Sequence, residues 1–180
     1  MADRGLTTGV LLVGGASARF GSPKPLVRLG GETLAERAWR LLGEACDERI
    51  AVGKAADALG LPFPVLDDAI EVRAPIAGVV AGLRAAAHDV AVVLPVDVPL
   101  VTAELLRELA AACRDAAVTV NGPLPGAYRR TALPALDAAL AGGRFKLRDA
   151  LAGLDVAVVD ADPALLANVN TPEELAKLSG

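Results

Sequence analysis

The tightest constraint on this fold lies between Thr8 and Leu26, in the run TGVLLVGGASARFGSPKPL. Gly9-Val10-Leu11-Leu12-Val13 is short, apolar, branched and stopped sharply by glycine, which is the pattern of a buried strand. The chain then opens into a loop. Gly14 and Gly15 remove side chains where a backbone must approach a ligand, while Ser17, Arg19 and Lys24 supply a hydroxyl and two cations. Such a loop suits a polyphosphate. Its spacing is neither GxxxxGK[ST] nor GxGxxG, and Pro23 and Pro25 delay the next helix, so neither the P-loop nor the dinucleotide fingerprint applies.

With 180 residues the chain has material for one full core, and a single domain over residues 1–180 is expected. Apolar residues make up 53% and aromatic ones only 3%. A core of Ala, Val and Leu favours helices packed closely on a sheet, hence an α/β fold. The net charge of −4, with Lys and Arg scattered, leaves no nucleic-acid footprint. The first residues carry no apolar signal region and no run reaches membrane length, so a soluble, cytoplasmic protein is expected. Cys46 and Cys113 lie far apart in helical patterns and read as buried free thiols, and His88 has no partner for a triad or zinc site.

Extended and helical patterns alternate along the chain. Glu32 to Ala45 has helical spacing, Arg49 to Val52 reads as a second strand ending at Gly53, and Pro64 to Leu66 as a third ending in Asp67-Asp68. Carboxylates at a strand's end lie at the sheet edge where open α/β sheets bind ligands. Pro75-Ile76-Ala77-Gly78 starts a helix whose small residues suit either a ligand or close packing on the sheet. Val90 to Pro95 is the strongest central strand, and it delivers Asp97. A carboxylate there needs a reason, because an unpaired buried charge is costly, and a magnesium ion supplies one. Thr102 caps the following helix.

Ala116 to Val120 predicts another strand. The two prolines and two glycines from Asn121 to Gly126 predict a rigid loop with a short extended return through Tyr128, Arg129 and Arg130, a candidate wall for a second pocket. Helices follow over Thr131 to Leu140 and Lys146 to Leu151. Arg144, Lys146 and Arg148 would suit an anion at a helix start, though solvated surface is the simpler reading. Asp155 to Val159 and Leu165 to Val169 predict extended segments, and Pro172 opens a terminal helix.

Gly14-Gly15-Ala16-Ser17-Ala18-Arg19-Phe20-Gly21 with Pro23-Lys24 resembles the GGxSxRxG…K signature of nucleotidyltransferases with a Rossmann-related, GT-A-like fold. Together with Pro75-Ile76-Ala77-Gly78, Pro95-Val96-Asp97-Val98-Pro99 and Asn168-Val169-Asn170-Thr171-Pro172-Glu173-Glu174-Leu175, the pattern resembles the molybdenum cofactor guanylyltransferases over almost the whole chain. The resemblance implies a three-layer α/β/α fold with a mostly parallel sheet. It implies an enzyme that transfers GMP from GTP to the terminal phosphate of molybdenum-loaded molybdopterin, with Mg²⁺ as cofactor and pyrophosphate as product. In that scheme Leu12, Val13, Gly14 and Gly15 with Asp68 hold the nucleoside, Arg19 and Lys24 engage the phosphates, Ser17 and Gly53 belong to the same nucleotide site, and Asp97 holds the metal. Pro123, Leu124, Tyr128, Arg129, Asn168 and Asn170 fall on the acceptor side, and molybdoenzyme-maturation proteins are the implied partners.

Three departures stand out. Phe20-Gly21-Ser22-Pro23-Lys24 has proline where the family often has an acid, Gly53 stands where some members have Asn, and Pro125-Gly126-Ala127-Tyr128 replaces Pro-Ala-Leu-Tyr. A cytidylyltransferase acting on the same cofactor, a related transferase using a sugar or lipid phosphate, and a non-catalytic nucleotide-binding protein are the alternatives.

Overall fold

The protein is described here by a computed structural model covering residues 5–14 and 20–178. Its centre is a seven-stranded sheet. The strands are β1 (Thr7–Leu12), β4 (Glu48–Gly53), β5 (Val65–Asp67), β6 (Val90–Pro95), β7 (Ala116–Thr119), β8 (Gly122–Arg129) and β9 (Val156–Val159), in spatial order β5-β4-β1-β6-β8-β7-β9. β8 runs antiparallel to both neighbours and every other pairing is parallel. A small hairpin, β2 (Arg28–Leu29) with β3 (Glu32–Thr33), stands apart from it.

All six residues of β1 are buried, as a strand covered on both faces requires. Its side chains alternate between two cores. Leu11 and Val13 join Leu34 and Leu42 of α1 (Leu34–Ala45) and Leu105, Leu106 and Leu109 of α3 (Ala103–Ala112) on one face. Val10 and Leu12 join Ile76, Val79 and Leu83 of α2 (Pro75–Ala85) on the other, with α4 (Leu133–Ala141) and α5 (Leu147–Ala150) beside them. The expected three-layer α/β/α arrangement is therefore present.

Local chemistry sets the helix starts. Thr33 and Glu36 form a reciprocal capping box at α1, with bonds of 3.1 and 2.8 Å, and the Thr102 hydroxyl accepts from the Leu105 N–H at α3. Glycine sets how close α2 lies. A methyl group on Gly82 would stand 2.5 Å from Val10 Cγ1, and one on Gly78 would stand 2.7 Å from Leu12 Cδ2. The small residues of α2 thus serve helix-on-sheet packing.

Two expectations are corrected. Residues 122–129 form one strand instead of a loop with a short return. Val90–Val93 pair with residues 126–129, but opposite β7 the register shifts between Val118 and Thr119, and Pro123 to Pro125 bulge out. Both prolines sit in that bulge, where no ladder donor is required, so the strand tolerates them. The segment predicted as extended over Leu165 to Val169 begins as a 3-10 turn, Pro163–Leu166, because Asp162 caps Ala164 N–H at 2.9 Å and Pro163 takes the first helical position.

Candidate active site

The carboxyl ends of β5, β4, β1 and β6 open into a cleft of about 310 Å³. Leu12, Gly14, Val52 and Gly53 form its floor, Gly78 and Pro75 one side, and Leu124, carried out on the β8 bulge, another. Gly14 and Gly53 let two strand ends converge, since a methyl group on Gly53 would meet Val13 Cγ2 at 2.8 Å. The Val13 side chain turns into the core, and its N–H continues the ladder to the Val52 carbonyl at 3.0 Å.

At the β6 end stands Asp97. The Val169 N–H donates to the Asp97 main-chain carbonyl at 2.7 Å, which ties the Asn168-Val169-Asn170 segment to the carboxylate turn. Lys24 Nζ donates to Asn170 Oδ1 at 2.8 Å and lies 3.9 Å from Asp97 Oδ2. The Asn170 and Thr171 N–H groups are held by Glu174 Oε2, at 2.6 and 3.2 Å, at the start of α6 (Pro172–Leu178). Burial raises the Asp97 carboxyl above its ordinary value, and the Lys24 ammonium only partly opposes this. Among the described residues no cluster of three His, Cys, Asp or Glu side chains could enclose a metal ion. Asp97 is instead a lone, partly desolvated carboxylate on an open cleft. That donor set fits a hard cation whose remaining ligands come from phosphate oxygens and water.

A second charged corner lies at the β5 end. Asp68 Oδ1 accepts from Lys54 Nζ at 2.6 Å and from the Ile70 N–H at 3.0 Å, and Lys54 also donates to the carbonyls of Val72, at 3.1 Å, and Ile70. Arg73, also lining the cleft, is gripped by Asp57 at 2.7 and 3.1 Å.

The structure thus brings Leu12, Gly14, Lys24, Gly53, Asp68, Asp97 and Leu124 to one cleft, with Asn170 joined through Lys24. Gly15, Ser17 and Arg19 lie outside the described residues. Other candidates fall elsewhere. Tyr128 is fully buried on the α2 face, where its hydroxyl donates to the Pro123 carbonyl, so it supports the bulge and does not line a pocket. Arg129 pairs with Asp89 at the amino end of β6, away from the cleft. Asn168 is exposed, and Arg144, Lys146 and Arg148 are exposed residues outside the cleft lining. Lys54 and Arg73 were missed. Lys54 follows the strand-ending Gly53, so the sheet-edge rule that selected Asp68 also reaches it; Arg73 sits in an irregular segment with no such signal. Both cysteines are free, but only Cys113 is buried as expected, which pushes its thiol up to about 11, while Cys46 is half-buried.

A mostly parallel sheet whose carboxyl edge carries a lysine beside a desolvated carboxylate, over a glycine-floored cleft, fits a nucleotide-binding transferase, and the family match makes the chain a nucleotidyltransferase enzyme. The chain belongs to the family described as the MobA-like NTP transferase domain, whose pattern matches residues 9–161. It is 33% identical to a probable molybdenum cofactor guanylyltransferase of Chloroflexus aggregans, covering 94% of this chain and 92% of that one. It is 36% identical to the molybdenum cofactor guanylyltransferase of Pseudomonas putida KT2440, covering 92% and 94%. The crystal structure of molybdopterin-guanine dinucleotide biosynthesis protein A from Archaeoglobus fulgidus superposes with a TM-score of 0.81 at 26% identity, covering 96% of each chain. A cytidylyltransferase from Thermus thermophilus shares the fold at 21% identity and a TM-score of 0.74.

Proposed function

We propose that this enzyme transfers GMP from GTP to the terminal phosphate of molybdenum-loaded molybdopterin. The observation that carries the reading is the Lys24–Asn170–Asp97 corner at the β6 end of the cleft, with Lys24 2.8 Å from Asn170 and 3.9 Å from Asp97. Relatives named for this reaction over nearly their whole length support the choice of base and acceptor.

In the reaction a terminal phosphate oxygen of the acceptor forms a bond to the α-phosphorus of GTP, and the bond from that phosphorus to the bridging oxygen breaks as pyrophosphate leaves. The attacking oxygen is already anionic, so the chain needs no strong base. Its task is alignment and charge neutralisation. Lys24, held by Asn170, lays its ammonium against the triphosphate, and the Leu12 to Gly14 floor with Gly53 and Asp68 seats the nucleoside. Asp97 is the residue that would hold Mg²⁺, which supplies further neutralisation of the triphosphate. Arg19 and Ser17 are assigned to the phosphates, and Leu124 to the acceptor side.

Isothermal titration with GTP, CTP and ATP, each with and without Mg²⁺, tests the reading. GTP is expected to bind at least about tenfold tighter than CTP, a difference of about 1.4 kcal/mol, and only with Mg²⁺ present. Preference for CTP would move the assignment to a cytidylyltransferase, and no nucleotide binding by the folded protein would overturn both.

A further inference from the structure

The Lys54–Asp68 corner takes no part in the transfer step, yet it is the more deeply buried of the two lysine–aspartate pairs in the cleft. Its side chains are 13% and 7% exposed. We infer that Lys54 is a positioning residue that fixes Asp68 so that one carboxylate oxygen, Oδ2, is presented to the 2-amino group of the guanine base as a hydrogen-bond acceptor. This rests on the guanine-nucleotide reading above.

The geometry divides the carboxylate in two. Lys54 Nζ and the Ile70 N–H both donate to Oδ1, which fills that oxygen, and neither touches Oδ2. The Asp68 N–H donates to the Gly53 carbonyl at 3.0 Å, so the backbone that carries the carboxylate is tied to the end of β4 as well. Lys54 spends its other two donors on the Ile70 and Val72 carbonyls, which leaves its ammonium nothing for a ligand and makes its action indirect. Joining the two segments does not by itself call for a buried pair. Asp57 and Arg73 already bridge them with a pair whose side chains are 21% and 49% exposed. Burying a lysine and an aspartate costs desolvation that such an outer clamp avoids.

Guanine presents two neighbouring donors, N1–H and the 2-amino group, and an acceptor fixed in place discriminates against a base lacking one of them. Hypoxanthine lacks the 2-amino group and is otherwise the same shape, so ITP reports on that contact alone. The test is titration calorimetry with GTP, ITP and CTP in Mg²⁺ on the wild type, Lys54→Met, Lys54→Gln, Lys54→Arg and Asp57→Asn, with thermal unfolding to establish that each is folded. The wild type is expected to bind GTP at least about tenfold tighter than ITP, about 1.4 kcal/mol. In Lys54→Met and Lys54→Gln the ratio is expected to fall to about threefold or less through lost GTP affinity, with ITP affinity unchanged. Lys54→Arg, which keeps the cation on Oδ1, and Asp57→Asn, which loosens only the outer clamp, should keep the wild-type ratio. A folded Lys54→Met or Lys54→Gln protein that keeps the ratio overturns the inference. So does an equal loss in Asp57→Asn, or a wild type that prefers GTP to CTP but does not separate GTP from ITP. A wild type without preference for GTP over CTP instead overturns the functional reading beneath it.

Discussion

Two lysine–aspartate pairs line one cleft and are built differently. Lys54 and Asp68, at the β5 end, close to 2.6 Å in a nearly dry corner. Lys24 and Asp97, at the β6 end, stand 3.9 Å apart, because the Lys24 ammonium is turned to the Asn170 amide oxygen at 2.8 Å. The closed pair is satisfied within the chain at Asp68 Oδ1, which fixes the carboxylate and leaves only Oδ2 open. The open pair leaves a carboxylate that burial has made harder to ionise, the one proposed above to hold a cation. Distance and burial together therefore separate a carboxylate locked in place by its lysine from one left with room for a cation.

The two aspartates should fail in different ways. Asp97→Asn is expected to cut GMP transfer by about 10³-fold or more, some 4 kcal/mol, while thermal stability stays level or rises, as measured by steady-state turnover and thermal unfolding. A folded Asp97→Asn enzyme with near-normal turnover would erase the distinction. Asp68→Ala strands the Lys54 ammonium, and denaturant unfolding should show a loss of about 3 kcal/mol, against none for Asp97→Asn. Lys24→Met removes one cationic donor from the transferring group, and kcat/KM should fall by about 10²-fold. Asn170→Ala leaves Lys24 in place but unaimed; a fall of about tenfold is expected, chiefly in kcat, since misorientation costs less than removal.

The smallest effect is on pH. Because the folded-state pKa of Asp97 is raised, the folded protein holds that proton more tightly than the unfolded chain. Its contribution to stability is fully present below the ordinary carboxylate value, falls as pH rises through the window up to the raised value, and is level above it. Glu48 and Asp57 are lowered, mainly by hydrogen bonds from Thr8 and Arg73, and their contributions run the other way, lost as pH falls. The difference between wild-type and Asp97→Asn stability, followed across the acid range, isolates the Asp97 component and should narrow toward low pH.

Most of the β and α segments were legible because each is encoded locally. Residues Gly9 to Val13 read as a buried strand without reference to anything else, and Thr102 and Pro75 mark helix starts within one turn of themselves. β8 was misread because the same two prolines that break a ladder are harmless in a bulge, and only the register with β7 reveals the bulge. That register also decided Tyr128. A strand's side chains alternate faces, so the bulge fixes which face each residue beyond it meets, and it sends Tyr128 into the core.

Local patterns sufficed for a sheet covered by helices, a glycine-rich loop after its first strand, and carboxylates at the ends of two later ones. These follow from the period of apolar residues and from glycine and proline chemistry, which act over a few residues. Tertiary structure alone decided which charges meet. Lys24 and Asn170 are 146 residues apart, and they touch only because Val169 is hydrogen-bonded to the Asp97 turn beside the Lys24 segment. Lys54 reaches Asp68 only because β5 pairs with β4 in a register that sets Gly53 opposite Asp67. Ion pairing depends on distance through space, and sheet order and register create that distance.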